Sequence, residues 1–237
     1  SRSKEGLKFT DRSVIGSRKR CKNMKNVDLM IFDLDGTLVN SGRDIARSAV
    51  HTLKTLGLPI LQEEKILTFV GNGLGRLVER ALGPAHQHLM DRAMEIFEGH
   101  YEQHMLDTTG LYPGVAQMLA HYDTKRKIVV TNKRIAYAKR ILEGLGIADR
   151  FERILGENST PYMKPDARLM DTVVETAPER RERTVVIGDG IADIRFAKNA
   201  GVLSCAYLNG LTPRELLLGE GPDIVYEHPQ DLRELLA

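Results

Sequence analysis

Six short apolar runs limit what this chain can become. VDLMIFD (27–33) comes first; KIVVT (127–131), FERIL (151–155), TVVIGD (184–189), VLSCAY (202–207) and DIVYE (223–227) follow only after residue 120. Runs of this length read as buried strands, the first delivering Asp33 to its C-terminal end, where Gly36 breaks the pattern. Helical faces lie between the later runs. Ile135, Ala138, Ile141, Leu142 and Leu145 form one, Leu169, Met170, Val173 and Val174 another, and Ile194, Ala197 and Ala200 a third. Strands alternating with helices predict an α/β fold, a Rossmann-like parallel sheet with helices on both faces.

The stretch from Gly42 to Leu111 has a different grain. It reads as helices throughout, Ile45–Leu56, Glu63–Phe69, Leu74–Leu82 and Leu89–Leu106, punctuated by Pro59 and Gly83-Pro84. A helical block that interrupts an α/β pattern straight after its first strand predicts an inserted cap domain over 42–111. The catalytic core is then 24–41 and 112–237, with Tyr112-Pro113-Gly114 as the return hinge.

Composition narrows the class. With 42% hydrophobic and 28% charged residues the chain has the balance of a soluble protein with a core. No run approaches the roughly 18–20 apolar residues of a membrane span. The two cysteines, Cys21 and Cys205, pair by no pattern, which points to a reducing, cytoplasmic setting. Residues 1–25 hold nine of the 34 Lys/Arg and two of the 32 Asp/Glu, so the stretch is +7 and the remainder −5. This positive charge lies in a polar stretch with little periodicity, so residues 1–23 read as a weakly ordered vector-derived or upstream extension or a targeting piece rather than a nucleic-acid surface.

Open α/β sheets bind ligands at the carboxyl ends of their strands, and four segments on that edge carry polar residues suited to one chemistry. In Asp33-Leu34-Asp35-Gly36-Thr37, two carboxylates two apart emerge on one side of an extended segment. One is placed to attack phosphorus while the other protonates the leaving oxygen and then activates water. Thr131-Asn132 offers a hydroxyl and an amide to phosphoryl oxygens. Lys164-Pro165 brings a fixed positive charge. Asp189 and Asp193, one helical turn apart in Gly188-Asp189-Gly190-Ile191-Ala192-Asp193, suit a hard cation. Taken singly, each is as well explained by a helix cap or a turn. All four in this order fit phosphoryl transfer, which needs positioning, a cation and donors around the equatorial oxygens.

The four segments resemble the motifs of the haloacid dehalogenase (HAD) superfamily, spanning Asp33 to Asp193. The resemblance implies that Asp33 is the nucleophile and Asp35 the general acid/base, with Thr131 and Lys164 on the phosphate. It implies a Mg2+ ion held by the Asp33 and Asp189 carboxylates and the Asp35 main-chain carbonyl, with Asp193 acting through water or the lysine. FDLDGTLVNS (32–41), FVGNGLGRLVERAL (69–82) and VVTNK (129–133) are most similar to phosphoglycolate phosphatases. Two positions depart from the common pattern, Asn40 in place of Asp and Gly190 in place of Ser. The expected activity is hydrolysis of 2-phosphoglycolate, a small phosphorylated metabolite, by a monomer or homodimer without nucleic-acid or membrane partners. The alternatives are a related phosphatase for another phosphoester or pyrophosphate, a β-phosphoglucomutase-like mutase, and a non-catalytic regulatory module on the same fold.

Gly71-Asn72-Gly73-Leu74-Gly75 lacks the G-x-G-x-x-G spacing of a dinucleotide site. As a cap loop opening a helix, its N–H groups are expected to read the substrate carboxylate, with Gly71, Asn72, Gly73 and Arg76 as the specificity residues. A plain glycine-rich helix start is the competing explanation. His100 and His104, four apart on a helix, find no third ligand at zinc spacing. His86 and His88 would not face the same way, and Cys205 reads as a buried core residue.

Overall fold

A computed structural model describes residues 27–174 and 178–236, so the expectation for residues 1–23 lies outside the described residues. Strands β1 (Leu29–Phe32), β2 (Val39–Asn40), β3 (Gly110–Leu111), β4 (Arg126–Arg134), β5 (Arg153–Glu157), β6 (Thr184–Gly188), β7 (Leu203–Tyr207) and β8 (Ile224–Tyr226) form two sheets. Six are parallel in the order β5-β4-β1-β6-β7-β8, with β1 at the centre between β4 and β6. Leu29 and Ile31 of β1 pack in one buried cluster and Met30 and Phe32 in another. Side chains of a strand alternate between faces, so both faces of β1 are covered, which is why its sequence is apolar without a break.

Helices α1 (Gly42–Thr55), α2 (Glu63–Leu67), α3 (Leu74–Leu82) and α4 (Met90–His104) lie between β1 and β4 in the chain. The main sheet is completed by α5 (Val115–His121), α6 (Ile135–Gly144), α7 (Arg168–Val173) and α8 (Ile191–Ala200). β2 and β3 are the segments by which the chain leaves the core and returns, and they pair antiparallel, Val39 with Leu111 and Asn40 with Gly110. Beside them the buried Asp44 carboxylate accepts hydrogen bonds from the N–H and hydroxyl of both Thr108 (2.9 and 2.6 Å) and Thr109 (both 2.8 Å). Entry and exit of the helical segment are thus tied at one point. No helix among the described residues is long and apolar enough to cross a membrane.

Two of the boundaries that differ from the sequence expectation lie in β4 and β5. β5 starts two residues later than FERIL, and β4 continues through Thr131 to Arg134, with its pairing to β5 shifted between Val130 and Arg134. Such an irregularity re-aims side chains at the end of a strand.

Candidate active site

The site is assembled at the carboxyl ends of the adjacent strands β4, β1 and β6, with Lys164 from the loop that follows β5. Asp33 follows β1 directly and its N–H donates to Ile187 O of β6 at 2.9 Å, which locks its backbone to the neighbouring strand. The chain then turns within six residues, Leu38 N and Val39 N both donating to Leu34 O. Gly36 makes this turn with φ +88°, and a Cβ there would lie 2.2 Å from Asp189 Oδ2, so no side chain is compatible with the position. Thr37 closes the turn onto β6: its hydroxyl donates to Asp189 Oδ1 (2.7 Å) and accepts from Asp189 N (2.9 Å).

Asp33, Asp189 and Asp193 converge, each buried, with one carboxylate oxygen from each within 4.8 Å of the others. Lys164 Nζ bridges two of them, donating to Asp33 Oδ1 at 2.8 Å and Asp193 Oδ1 at 2.6 Å. Burial alone would lower the Lys164 ammonium, but the Asp193 and Asp33 carboxylates hold it above its ordinary value. Three buried carboxylates against one ammonium leave an excess of negative charge. Burial and the Asp193 charge push Asp33 up to about 6 against the pull of Lys164. Burial and the Asp33 and Asp193 charges push Asp189 up to about 8 against hydrogen bonds from Thr37 and Leu211. An oxygen-only, anionic, buried donor set of this kind fits a hard divalent cation. Both oxygens of Asp193 are engaged, Oδ1 by Lys164 and Oδ2 by Gly190 N (2.9 Å) at the start of α8, as are those of Asp189, by Thr37 and Leu211.

Asp35 lies on the other side of Asp33. Its carboxylate accepts from Ser41 Oγ and from Lys133 Nζ at 3.0 and 3.1 Å. Lys133 is a residue to which the sequence reading gave no role. Its only signal was its place directly after Thr131-Asn132, and the extended, irregular end of β4 turns it towards Asp35. Thr131 lines the same cavity as Asp33, Asp35 and Lys133.

Asn132 differs from expectation. Both its amide protons are committed, to Gly71 O and Lys164 O at 3.0 Å each, and its Oδ1 accepts Lys164 N at 2.9 Å. No side-chain donor remains for a phosphoryl oxygen; Asn132 instead fixes the Lys164 backbone and docks the Gly71 loop. That loop divides. Gly71 and Gly73 line the cavity, whereas Asn72 and Arg76 line a separate surface depression. Arg76 is two-thirds exposed and paired with Glu79 at 2.6 Å, because α3 starts at Leu74 and its first turn carries Arg76 outward. The charge expected from Arg76 is therefore absent from the cavity. The histidines also resolve: His51, His100 and His104 stack ring on ring, with centroids 4.2 and 4.3 Å apart. Among the described residues, the aspartate group is the one arranged to hold a metal.

A paired-aspartate strand end, a bridging lysine and a buried acidic group at the carboxyl edge of a parallel sheet suit a phosphoryl-transfer hydrolase, and the relatives below make it a phosphatase. The comparisons place it further. Residues 30–207 match the haloacid dehalogenase-like hydrolases, and the chain belongs to that family. A phosphoglycolate phosphatase of Vibrio parahaemolyticus is 32% identical over 222 residues, 90% of this chain and 97% of that protein. Another from Aquifex aeolicus is 30% identical over 210 residues, 88% of this chain and 96% of that protein. Among solved structures, a predicted phosphoglycolate phosphatase from Haemophilus somnus superposes with TM-score 0.82 at 28% identity, covering 89% of this chain and 98% of that one.

Proposed function

We propose that this phosphatase is Mg2+-dependent and hydrolyses 2-phosphoglycolate to glycolate and phosphate through an aspartyl-phosphate on Asp33. The observation that carries the reading is the junction at Asp33, whose carboxylate is held by Lys164 on one side with Asp35 two residues away on the other. An Asp33 oxygen attacks phosphorus, forming the acyl phosphate as the P–O bond to glycolate breaks. Asp35 gives its proton to the departing oxygen. It then takes a proton from water, which attacks the same phosphorus, releases phosphate and frees the Asp33 carboxylate. Thr131 and Lys164 orient the phosphoryl oxygens. The Asp33 and Asp189 carboxylates with the Asp35 carbonyl would hold Mg2+, which when bound offsets the negative charge that the phosphoryl group meets here.

The helical segment, 42–111, serves as a cap that excludes water during attack. Its seam with the core already carries polar contacts, Arg134 to Glu98 (2.7 Å) and Tyr137 to Glu102 (3.3 Å). The names of the relatives support the choice of 2-phosphoglycolate among small esters. The test is a panel of phosphate esters compared by kcat/KM with and without Mg2+. 2-Phosphoglycolate should lead it and EDTA should silence it; another leading ester would overturn the substrate assignment.

A further inference from the structure

The cavity between cap and core contains a cation that the proposed chemistry does not use. Lys133 Nζ sits 3.0 and 3.1 Å from the two oxygens of Asp35, and 4.8 Å from the ring centroid of Tyr101 on α4. Tyr101 is 2% exposed and lines the cavity, and its buried hydroxyl lies beside Lys133 without forming a well-aligned hydrogen bond. A buried donor left unpaired is costly, and ligand sites are where such a cost is tolerated. The cavity wall also carries the apolar Ile45, Leu74, Leu77 and Phe97, and a second cation, Arg134, which is paired with Glu98 at 2.7 Å.

Position relative to Asp35 gives this pair its meaning. If Asp35 protonates the leaving oxygen of the ester, that oxygen lies against the Asp35 carboxylate, and Lys133 is hydrogen-bonded to the same carboxylate. The first carbons beyond the ester oxygen therefore pass next to the Lys133 ammonium. A neutral alcohol offers a cation there at most a neutral hydrogen bond, whereas a carboxylate one carbon on forms a charge-assisted contact, which is roughly twice as strong. Arg76 cannot supply that charge, since it faces solvent with Glu79.

We propose that Lys133, with the Tyr101 hydroxyl as a second donor, is the specificity determinant that binds the carboxylate of the leaving group and so selects short phosphorylated carboxylic acids. This rests on the reading of Asp33 and Asp35 given above and adds the residues that read the far end of the substrate. The pair belongs half to the core and half to the cap, so a carboxylate held between them would also draw the two together.

The experiment compares kcat/KM for carboxylated esters, 2-phosphoglycolate and 3-phosphoglycerate, with neutral ones, ethyl phosphate and glycerol 3-phosphate, in wild type, Lys133→Met, Lys133→Arg and Tyr101→Phe. Damage to Asp35 lowers all esters alike and cancels in the ratio. The preference for carboxylated esters should fall about 10–100-fold in Lys133→Met and about tenfold in Tyr101→Phe, with Lys133→Arg keeping most of it. Tyr101→Phe should melt close to wild type, because the hydroxyl it deletes makes no well-aligned hydrogen bond. A preference unchanged in both Lys133→Met and Tyr101→Phe overturns the proposal, as does a wild type with no preference for carboxylated esters. If 3-phosphoglycerate leads and the lead depends on Lys133, the proposal stands and the choice of 2-phosphoglycolate falls. If 2-phosphoglycolate leads and Lys133 is irrelevant, the reverse holds. Should Lys133→Met fail to fold, Tyr101→Phe decides alone.

Discussion

The side-chain amide of Asn132 grips the backbone of Lys164 at both ends, accepting its N–H at 2.9 Å and donating to its carbonyl at 3.0 Å. The lysine that bridges Asp33 and Asp193 is therefore positioned from β4, across 32 residues of chain. Asn132→Ala removes both contacts and the one to Gly71. It should lower kcat/KM roughly 10–100-fold for every ester and cost about 1–3 kcal/mol of stability, since buried backbone groups are left unpaired. Steady-state kinetics and chemical denaturation on the same preparation test this; an effect confined to one ester would contradict a positioning role.

Asp33→Asn should reduce turnover to a trace while circular dichroism stays native. The amide oxygen can still accept from Lys164, but it is no nucleophile. Substantial residual hydrolysis would rule out a covalent step at this residue.

Metal and pH act on the same charges. The ordinary value for both Asp33 and Asp189 is 3.8, and the folded site pushes them up to about 6 and about 8. Between these limits the folded, metal-free protein binds more protons than the unfolded chain, so its stability falls as pH rises from about 4 to about 8. Mg2+ bound by these carboxylates would compete with those protons, and its gain in Tm should be larger at pH 8 than at pH 5. Asp189→Asn should flatten the metal-free profile and raise the Mg2+ requirement. Melting curves across pH, with EDTA or with Mg2+, are the measurement; a metal-free Tm that rises from pH 5 to 8 would refute the charge account.

Asp44 has the opposite sign. Burial alone would raise its carboxyl, but the hydrogen bonds from Thr108 and Thr109 hold it below the ordinary 3.8. Its contribution is present above that value and lost as pH falls below it. Asp44→Ala leaves four donors unpaired where the helical segment leaves and rejoins the main sheet and should cost at least about 3 kcal/mol. Urea titration at pH 7 reads the loss, and a variant within about 0.5 kcal/mol of wild type would show the junction to be slack.

Gly73 has φ +87°, and a Cβ there would lie 3.1 Å from Met163 Cε. Gly73→Val should therefore hold the loop off the core. It should depress kcat/KM for 2-phosphoglycolate and p-nitrophenyl phosphate to a similar extent, because closure serves both. A loss restricted to 2-phosphoglycolate would return carboxylate recognition to this loop.

Much of this protein is written in short stretches of chain. The apolar runs located all six strands of the main sheet to within about three residues, and the pattern around Leu74–Leu82 marked the ends of α3. These features are local: continuous apolarity records burial on both faces, and Gly73 and Gly83, both at positive φ, bracket a helix. Asp33, Asp35, Lys164, Asp189 and Asp193 were legible because strand ends in a parallel sheet all open on one edge.

What stayed hidden depends on contacts across the chain. Asn132 meets Gly71 61 residues away and Lys133 meets Asp35 at a separation of 98. Neither has a pattern around it that announces a partner. Arg76 sits one turn into a helix whose rotation is set by burying Leu77 and Val78, and that packing sends the arginine outward. The positions of the strands along the chain and their burial follow from local hydrophobicity, which the sequence alone determines. Which polar side chains share a cavity follows from how whole elements rotate and dock to bury their apolar faces, and that only the tertiary structure decided.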